Sequence, residues 1–202
     1  STLGGRDVWI DKTIGRLNNS NQGDYLGKFN SGDLIISYFL DGTYQKSSVD
    51  FSNRYNFNEI LFIKKFNSST ILCAVYYNGK QKAYYIKRFK IETSVLDKKY
   101  KFISEFRGSK LVLICFNLNS QLSFNYRTNN GDKKSKIIFL DDFVSVKGWQ
   151  ALGNKIKPYK RMSGFNLITA VSMDNPENID SSKTKSENLK NNTLDLDKQP
   201  DS

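Results

Sequence analysis

Apolar residues fall in short runs rich in Ile, Val, Phe and Tyr, and each run is bounded by Gly, Asn, Asp or Ser. That punctuation reads as β-strands separated by turns. No segment holds an apolar period of 3.6 residues over three turns, so the reading is all-β. Asp33–Ser47 reads as strand, turn at Asp41-Gly42, strand. Thr70–Phe89 repeats this with its turn at Asn78-Gly79, and Lys110–Tyr126 repeats it again with a poorer turn near Asn119-Ser120. Asp-Gly and Asn-Gly suit type I′ hairpins, in which both central residues take positive φ. Shorter strands are expected at Glu59–Phe66, Tyr100–Phe106 and Ile137–Phe143. The turns lie 37 and then 41 residues apart. Each unit thus holds about four short strands in roughly forty residues, the size of a propeller-type blade; a solenoid stack shares the signature. The expected architecture is a propeller-like array of about three four-stranded blades, with part of a fourth at the N-terminus. Three blades do not close a ring, and unclosed strand edges invite aggregation. Together with a start at Ser1 that lacks Met, this points to a piece of a longer chain.

The pattern changes at about residue 172. Residues 1–172 read as the folded domain, and residues 173–202 as a disordered acidic tail with too little apolar surface to offset its ordering entropy. The tail holds four Lys and seven acids, so the remaining 27 basic and 13 acidic residues give the folded part a net charge of about +14. Such a surplus suggests a polyanionic partner. A genome biased toward A and T offers another source for it, since Lys outnumbers Arg 24 to 7 and Asn is frequent. No apolar run reaches the roughly 18 residues of a membrane span, so no membrane role is expected. Cys73 and Cys115 sit inside apolar runs and read as buried free thiols in a reducing cytoplasm. The sequence has no His, which excludes Ser-His-Asp and Cys-His chemistry and removes the usual nitrogen ligand for metals. No catalytic and no metal-binding residue is therefore assigned.

The candidate DNA-binding residues are Arg6, Lys64, Lys65, Lys80, Lys82, Lys87, Arg88, Lys90, Arg107, Lys110, Lys133, Lys134, Lys136, Lys147 and Lys155, with the run Tyr84–Lys90 the densest. Lys157, Lys160 and Arg161 add basic positions near the end. Phosphate contact needs positive charge at the right radius rather than a fixed motif. Tyr84 and Tyr85 suit base stacking or, more simply, packing between strands. Trp9, between Val8 and Ile10, reads as strand core, and Asp141-Asp142 as a turn. A protein-interaction scaffold is the competing reading. Placement of Lys64, Lys87, Arg88, Lys110 and Lys136 separates the two: one rim favours DNA, dispersal favours the scaffold.

Five stretches carry a family resemblance. STLGGRDVWIDKTIGRLNN at 1–19, DYLGKF at 24–29, SVDFSNRYNFNEILFIKKF at 48–66, AVYYNGKQKAYYIKRFKIE at 74–92 and FVSVKGWQALGNKI at 143–156 resemble, in order and spacing, the C-terminal domain of the A chain of bacterial type IIA DNA topoisomerases. The likeness is greatest to the A chain of Bacteroidetes-type topoisomerase IV and spans about residues 1–160. It implies a β-pinwheel that wraps double-stranded DNA on a basic outer rim. It also implies partners in the nucleoid: the breakage–reunion domain of the parent A chain, together with the ATPase B chain of an A2B2 holoenzyme. The cleaving tyrosine, its arginine and the Mg2+-binding acids belong to those other parts, as does ATP, so this segment is expected to hold no cofactor. Gyrases carry a Gln-Arg-Arg-Gly-Gly-Lys-Gly box; Gly4-Gly5-Arg6 only echoes it, which favours the relaxing and decatenating sibling.

Overall fold

The computed structural model describes residues 5–117 and 119–168; the expected tail, 173–202, lies outside them. Strands β1 (Arg6–Asp11), β2 (Arg16–Asn18) and β3 (Asp24–Phe29) form a first antiparallel sheet in the order β2-β1-β3. Strands β4 (Leu34–Phe39) and β5 (Thr43–Ser48) form a hairpin, and β6 (Ile60–Lys65) pairs with β4. A hairpin of β7 (Ile71–Asn78) and β8 (Ala83–Lys90) opens the third sheet. The chain then goes back: β9 (Lys99–Lys101) pairs with β5 in the second sheet before β10 (Lys110–Cys115) joins β7. The next hairpin, β11 (Gln121–Arg127) with β12 (Lys133–Phe139), belongs to a fourth sheet and runs into the one-turn helix α1 (Leu140–Phe143). Again the chain returns, β13 (Asn154–Lys155) pairing with β8, and β14 (Lys160–Ile168) then closes the fourth sheet on β11. The second and third sheets each receive their last strand only after the hairpin of the following sheet is made.

The all-β, propeller-like reading matches this architecture, with differences of detail. The described residues form four sheets, the first and last three-stranded. The expected hairpin over Lys110–Tyr126 does not exist, because β10 and β11 pair in different sheets. The hairpin turn lies instead at 128–132, where Gly131 takes φ 89°. Nor are the first two turns type I′. Positive φ occurs at Gly42 (78°) in the first and at Lys82 (48°), not at Asn78 or Gly79, in the second. Side-chain acceptors shape both turns: Asp41 Oδ1 accepts from the Thr43 amide at 3.0 Å, and Asn78 Oδ1 from the Lys80 amide at 3.0 Å. Ile137–Phe143 is split, its second half being α1 rather than strand.

Alternation of side chains along each strand assembles three cores between successive sheets. Val8, Ile10, Leu17 and Phe29 of the first sheet meet Ile35 of β4. Ile36, Tyr38 and Tyr44 meet Leu72, Ala74, Tyr76, Tyr85 and Phe89. Cys73, Val75, Ile86 and Cys115 meet Leu122, Phe124, Leu140 and Val144. The third sheet is therefore covered on both faces, which explains why β7 reads ILCAVYY without interruption. Trp9, expected in a core, lies on the opposite face of β1 from Val8 and Ile10, where it packs on Tyr25 with ring centroids 5.1 Å apart.

Burial of β8 on both faces has a cost in its two central cations. Lys87 is 3% exposed, and its ammonium donates to the carbonyls of Phe102 at 2.7 Å and Trp149 at 2.6 Å. Those carbonyls lie just after β9 and shortly before β13, so Lys87 joins both returning segments. Arg88, one residue on and hence on the other face, is 9% exposed; it pairs with Asp141 at 3.1 Å and donates to the Val144 carbonyl at 3.2 Å. Asp141 is thus the first-turn residue of α1 that neutralises a buried guanidinium, not part of a simple turn.

This packing sets the pH response and the thiol chemistry of the fold. Burial lowers the Lys87 pKa to about 8, against 10.5 for a free lysine. Between those values the unfolded chain binds the extra proton, so stability gains a positive slope with pH there, and the neutral amine still satisfies both carbonyls. Lys87→Met removes that slope between pH 8 and 10 and, leaving two buried carbonyls unpaired, destabilises by about 2–4 kcal/mol in chemical denaturation. Lys80→Ala, in an exposed turn, changes stability by less than about 0.5 kcal/mol. Cys73 and Cys115 stand directly opposite each other on β7 and β10, both buried, with the Cys73 thiol held protonated by its hydrogen bond to Cys115 and by burial. Their reaction with a chromogenic disulfide in the native state should run at least about 100-fold slower than in denaturant.

Candidate nucleic-acid interface

The candidate cations divide by their place in the strands. Those in mid-strand of covered sheets are engaged internally, whereas most of those in turns and on the edge strand β12 are exposed. Lys87 and Arg88 are withdrawn from the candidate surface, because both point into cores and are held there by carbonyls and Asp141. Lys64 is half-buried, with its ammonium 4.1 Å from the centre of the Phe116 ring and its pKa lowered by burial. Lys65 pairs with Asp33 at 2.7 Å and donates to the Lys28 carbonyl at 2.6 Å. Arg6 lies over the Phe51 ring at 4.9 Å on the first sheet. Lys90 and Lys147 are exposed at the end of the third sheet away from the β7–β8 turn, and Lys134 and Lys136 are exposed along the edge strand β12.

The remaining candidates other than Lys133, which begins β12 in the fourth sheet, gather at the other end of the third sheet. Lys80 and Lys82 occupy the β7–β8 turn. Gly79 in that turn passes so close to the 107–109 loop that a Cβ would lie 2.3 Å from the Arg107 carbonyl, and its amide donates to Ser109 Oγ at 3.0 Å. This brings Arg107 to the turn, and Lys110 follows it opposite Tyr77. On the other side of the hairpin β13 sets Lys155 opposite Tyr85.

From there the cations continue into a cleft of about 550 Å³ lined by Lys82, Lys155, Lys157, Lys160 and Arg161 together with Tyr77, Tyr84 and Tyr159. No carboxylate lines it. Its floor is aromatic: Tyr84 packs on Tyr77 at 5.1 Å and on Phe165 of β14 at 4.6 Å, which joins the third and fourth sheets beneath the cations. Tyr84 therefore serves packing and lines the cleft at once, whereas Tyr85 is buried. Beyond the cleft, Lys160, Arg127 and Lys133 stand opposite one another across β14, β11 and β12. Like charges directly opposite on a sheet destabilise it by a few tenths of a kcal/mol or more, and an anion laid across them reverses that sign. The band thus runs from Arg107 and Lys110 through Lys80, Lys82 and Lys155 to Lys157, Lys160, Arg161, Arg127 and Lys133.

Of the five discriminating positions, Lys87 and Arg88 are buried, Lys64 is half-buried, and Lys110 and Lys136 are exposed on different sheets. They do not form one rim. Arg127 carries no signal in the sequence because its neighbours are set by β14 returning to β11, a pairing that no local motif encodes. Among the described residues no group of three or more Cys, Asp or Glu is placed to hold a metal ion, and no helix is long and apolar enough to cross a membrane.

Comparison with known proteins gives one family and one fold. The profile of the family described as "Topoisomerase C-terminal domain, Bacteroidota" matches residues 16–163. The crystal structure of the C-terminal domain of DNA topoisomerase IV is similar at a TM-score of 0.55 and 14% identity, over 84% of this chain and 63% of that one. The present chain thus spans less than two thirds of that relative's length, and at this identity the likeness establishes the fold, a partial β-pinwheel. No curated protein matches the sequence.

Proposed function

The chain belongs to the Bacteroidota topoisomerase C-terminal domain family, and from that membership we propose that it is a DNA-binding and DNA-bending module of the A chain of a topoisomerase IV-like enzyme. The observation that carries the proposal is the tyrosine-floored cleft with five cations and no carboxylate, continued by the Lys160–Arg127–Lys133 row. Cations at this spacing neutralise successive phosphates and release the counterions condensed on the duplex. Bending a site of 20–30 base pairs costs of order 1–6 kcal/mol, which those contacts offset. Lysine dominates the band, so bidentate reading of guanine is scarce and base specificity low. The module has no chemistry of its own. It presents a bent segment to the breakage–reunion domain of the parent A chain, within an A2B2 holoenzyme whose other parts use ATP and Mg2+ for strand passage, relaxation and decatenation in the bacterial cytoplasm. Residues 1–202 hold no Gln-Arg-Arg-Gly-Gly-Lys-Gly box, which favours unlinking over negative supercoiling.

The scaffold reading draws on the dispersal of Lys64, Lys87, Arg88, Lys110 and Lys136, and predicts weak, non-saturating DNA binding. The two separate in one titration. With six to ten phosphate contacts, affinity for a random-sequence duplex should fall by about 10³–10⁵ between 50 and 200 mM salt. The triple change Lys157→Glu, Lys160→Glu, Arg161→Glu should weaken binding roughly 100-fold and lower the salt slope by about three. Lys147→Glu, outside the band, should change affinity by less than about threefold. Salt-insensitive binding, or equal losses in the two variants, would refute the assignment.

A further inference from the structure

The basic cleft between the third and fourth sheets offers more than a paired duplex can use. Phosphates of a duplex reach the cations at its rim. The bases, however, are stacked on one another and present only their edges, so no base face is left for the tyrosine floor. That floor is part of a longer aromatic row. From Tyr77 through Tyr84, Phe165, Phe124 and Tyr159 to Tyr126, successive ring centroids lie 5.1, 4.6, 5.6, 5.4 and 4.5 Å apart. Phe124 in this row is buried, whereas Tyr77, Tyr84 and Tyr159 line the cleft and are half-buried.

Two cations of the cleft sit on unusual backbone. Lys82 and Arg161 take φ 48° and 49°, a region that long side chains seldom occupy. At Arg161 the strand bulges, since Lys160 and Ser163 of β14 stand opposite Arg127 and Asn125 of β11 and four residues therefore face three. A bulge re-aims side chains locally and recurs beside binding sites. Strain kept at two lining positions of one cleft points to a ligand there.

We infer that the cleft takes unpaired DNA: a short single-stranded stretch within a duplex, its bases laid on the tyrosines and its phosphates on the surrounding cations. The inference rests on the DNA-binding reading above and adds to it a preference for sites where pairing is lost. A cationic groove with an aromatic platform is the recurring form of single-strand binding. The volume agrees: about 550 Å³ lies within the roughly 300–1,000 Å³ of sites that enclose one small molecule, room for unstacked bases but not for a duplex. Every base has a π-face, so the preference is for the state of the strand and not for its sequence. A free nucleotide fits less well, because the cations run on beyond the cleft through Lys160, Arg127 and Lys133, which suits a continuous chain.

Equilibrium binding of the 202-residue chain to three DNAs tests this. The first is a fully paired duplex. The second carries a gap that exposes about four unpaired thymidines on the continuous strand, and in the third the same positions are abasic. The thymidine gap should bind roughly tenfold more tightly than the abasic gap, which has the same phosphates and the same freedom to bend. Tyr84→Leu/Tyr159→Leu should remove that difference and leave the salt slope, which counts phosphates, unchanged. The comparison of the two gaps needs no variant, so it stands even where the double change impairs folding. Equal affinity for the two gapped DNAs overturns the inference, because ease of bending then accounts for any gain over the paired duplex. A thymidine preference that survives in a folded double variant overturns it as well. Failure to bind the paired duplex saturably would instead refute the DNA-binding reading on which the inference rests.

Discussion

Strand β8 lies between two cores, and two adjacent cations must therefore be accommodated inside the protein. Alternation sends the Lys87 ammonium to one side and the Arg88 guanidinium to the other. A buried charge without partners is expensive, so each is tolerable only because chain arriving from elsewhere supplies oxygen atoms. For Lys87 these are the Phe102 and Trp149 carbonyls, and for Arg88 the Asp141 carboxylate and the Val144 carbonyl. The partners lie on segments flanking β9, α1 and β13, the parts of the chain that travel between sheets. Two directional anchors on neighbouring residues thus tie those segments to β8 at defined points, which apolar contact alone does not do.

Those ties matter because of how the sheets interleave. In most repeat arrays each unit closes on itself and touches only its neighbours. Here the last strand of the second sheet lies beyond β7 and β8 in the chain, and that of the third beyond β11 and β12. Neighbouring sheets are consequently joined by the chain passing back and forth between them as well as by side chains, and the returning strands are short, at three and two residues. The pairings span long stretches of sequence, which places much of the loop-closure entropy ahead of the stabilising contacts and favours slow folding.

Strand existence was legible in the sequence, since runs such as ILCAVYY and AYYIKRFK admit little else, and so was the blade-sized repeat. Partnering was not. Lys110–Tyr126 has the outline of a hairpin, yet β10 and β11 separate because each finds a better-matched strand in a different sheet, and no local pattern records that choice. The same gap explains the misplaced cations. The run Tyr84–Lys90 mixes aromatic and basic residues densely, but whether a strand lysine faces water depends on what covers the sheet, and β8 is covered on both faces. Arg127 shows the converse, being unremarkable in sequence and brought opposite Lys160 by the return of β14. The family resemblance reached the fold, which is a property of the whole array. It could not reach individual contacts.

The free cations share a physical origin. A lysine in mid-strand of a covered sheet has to be desolvated and paired, whereas one in an exposed turn keeps its hydration and its charge. Sheets stacked face to face present their strand ends along a common border, so the charges left free by packing fall there by default. The cleft adds shape to that border, because the chain after β13 passes through Lys157 to Lys160, where β14 starts opposite Arg127, and leaves a concavity lined by Tyr84 and Tyr159. An interface made in this way is distributed: no single lysine defines it, and loss of one contact removes about one counterion's share of the affinity. Such a surface suits a partner whose own charge is periodic and continuous. It is poorly suited to recognising a particular sequence or a compact ligand, which would need fixed, bidentate donors in place of flexible ammonium groups.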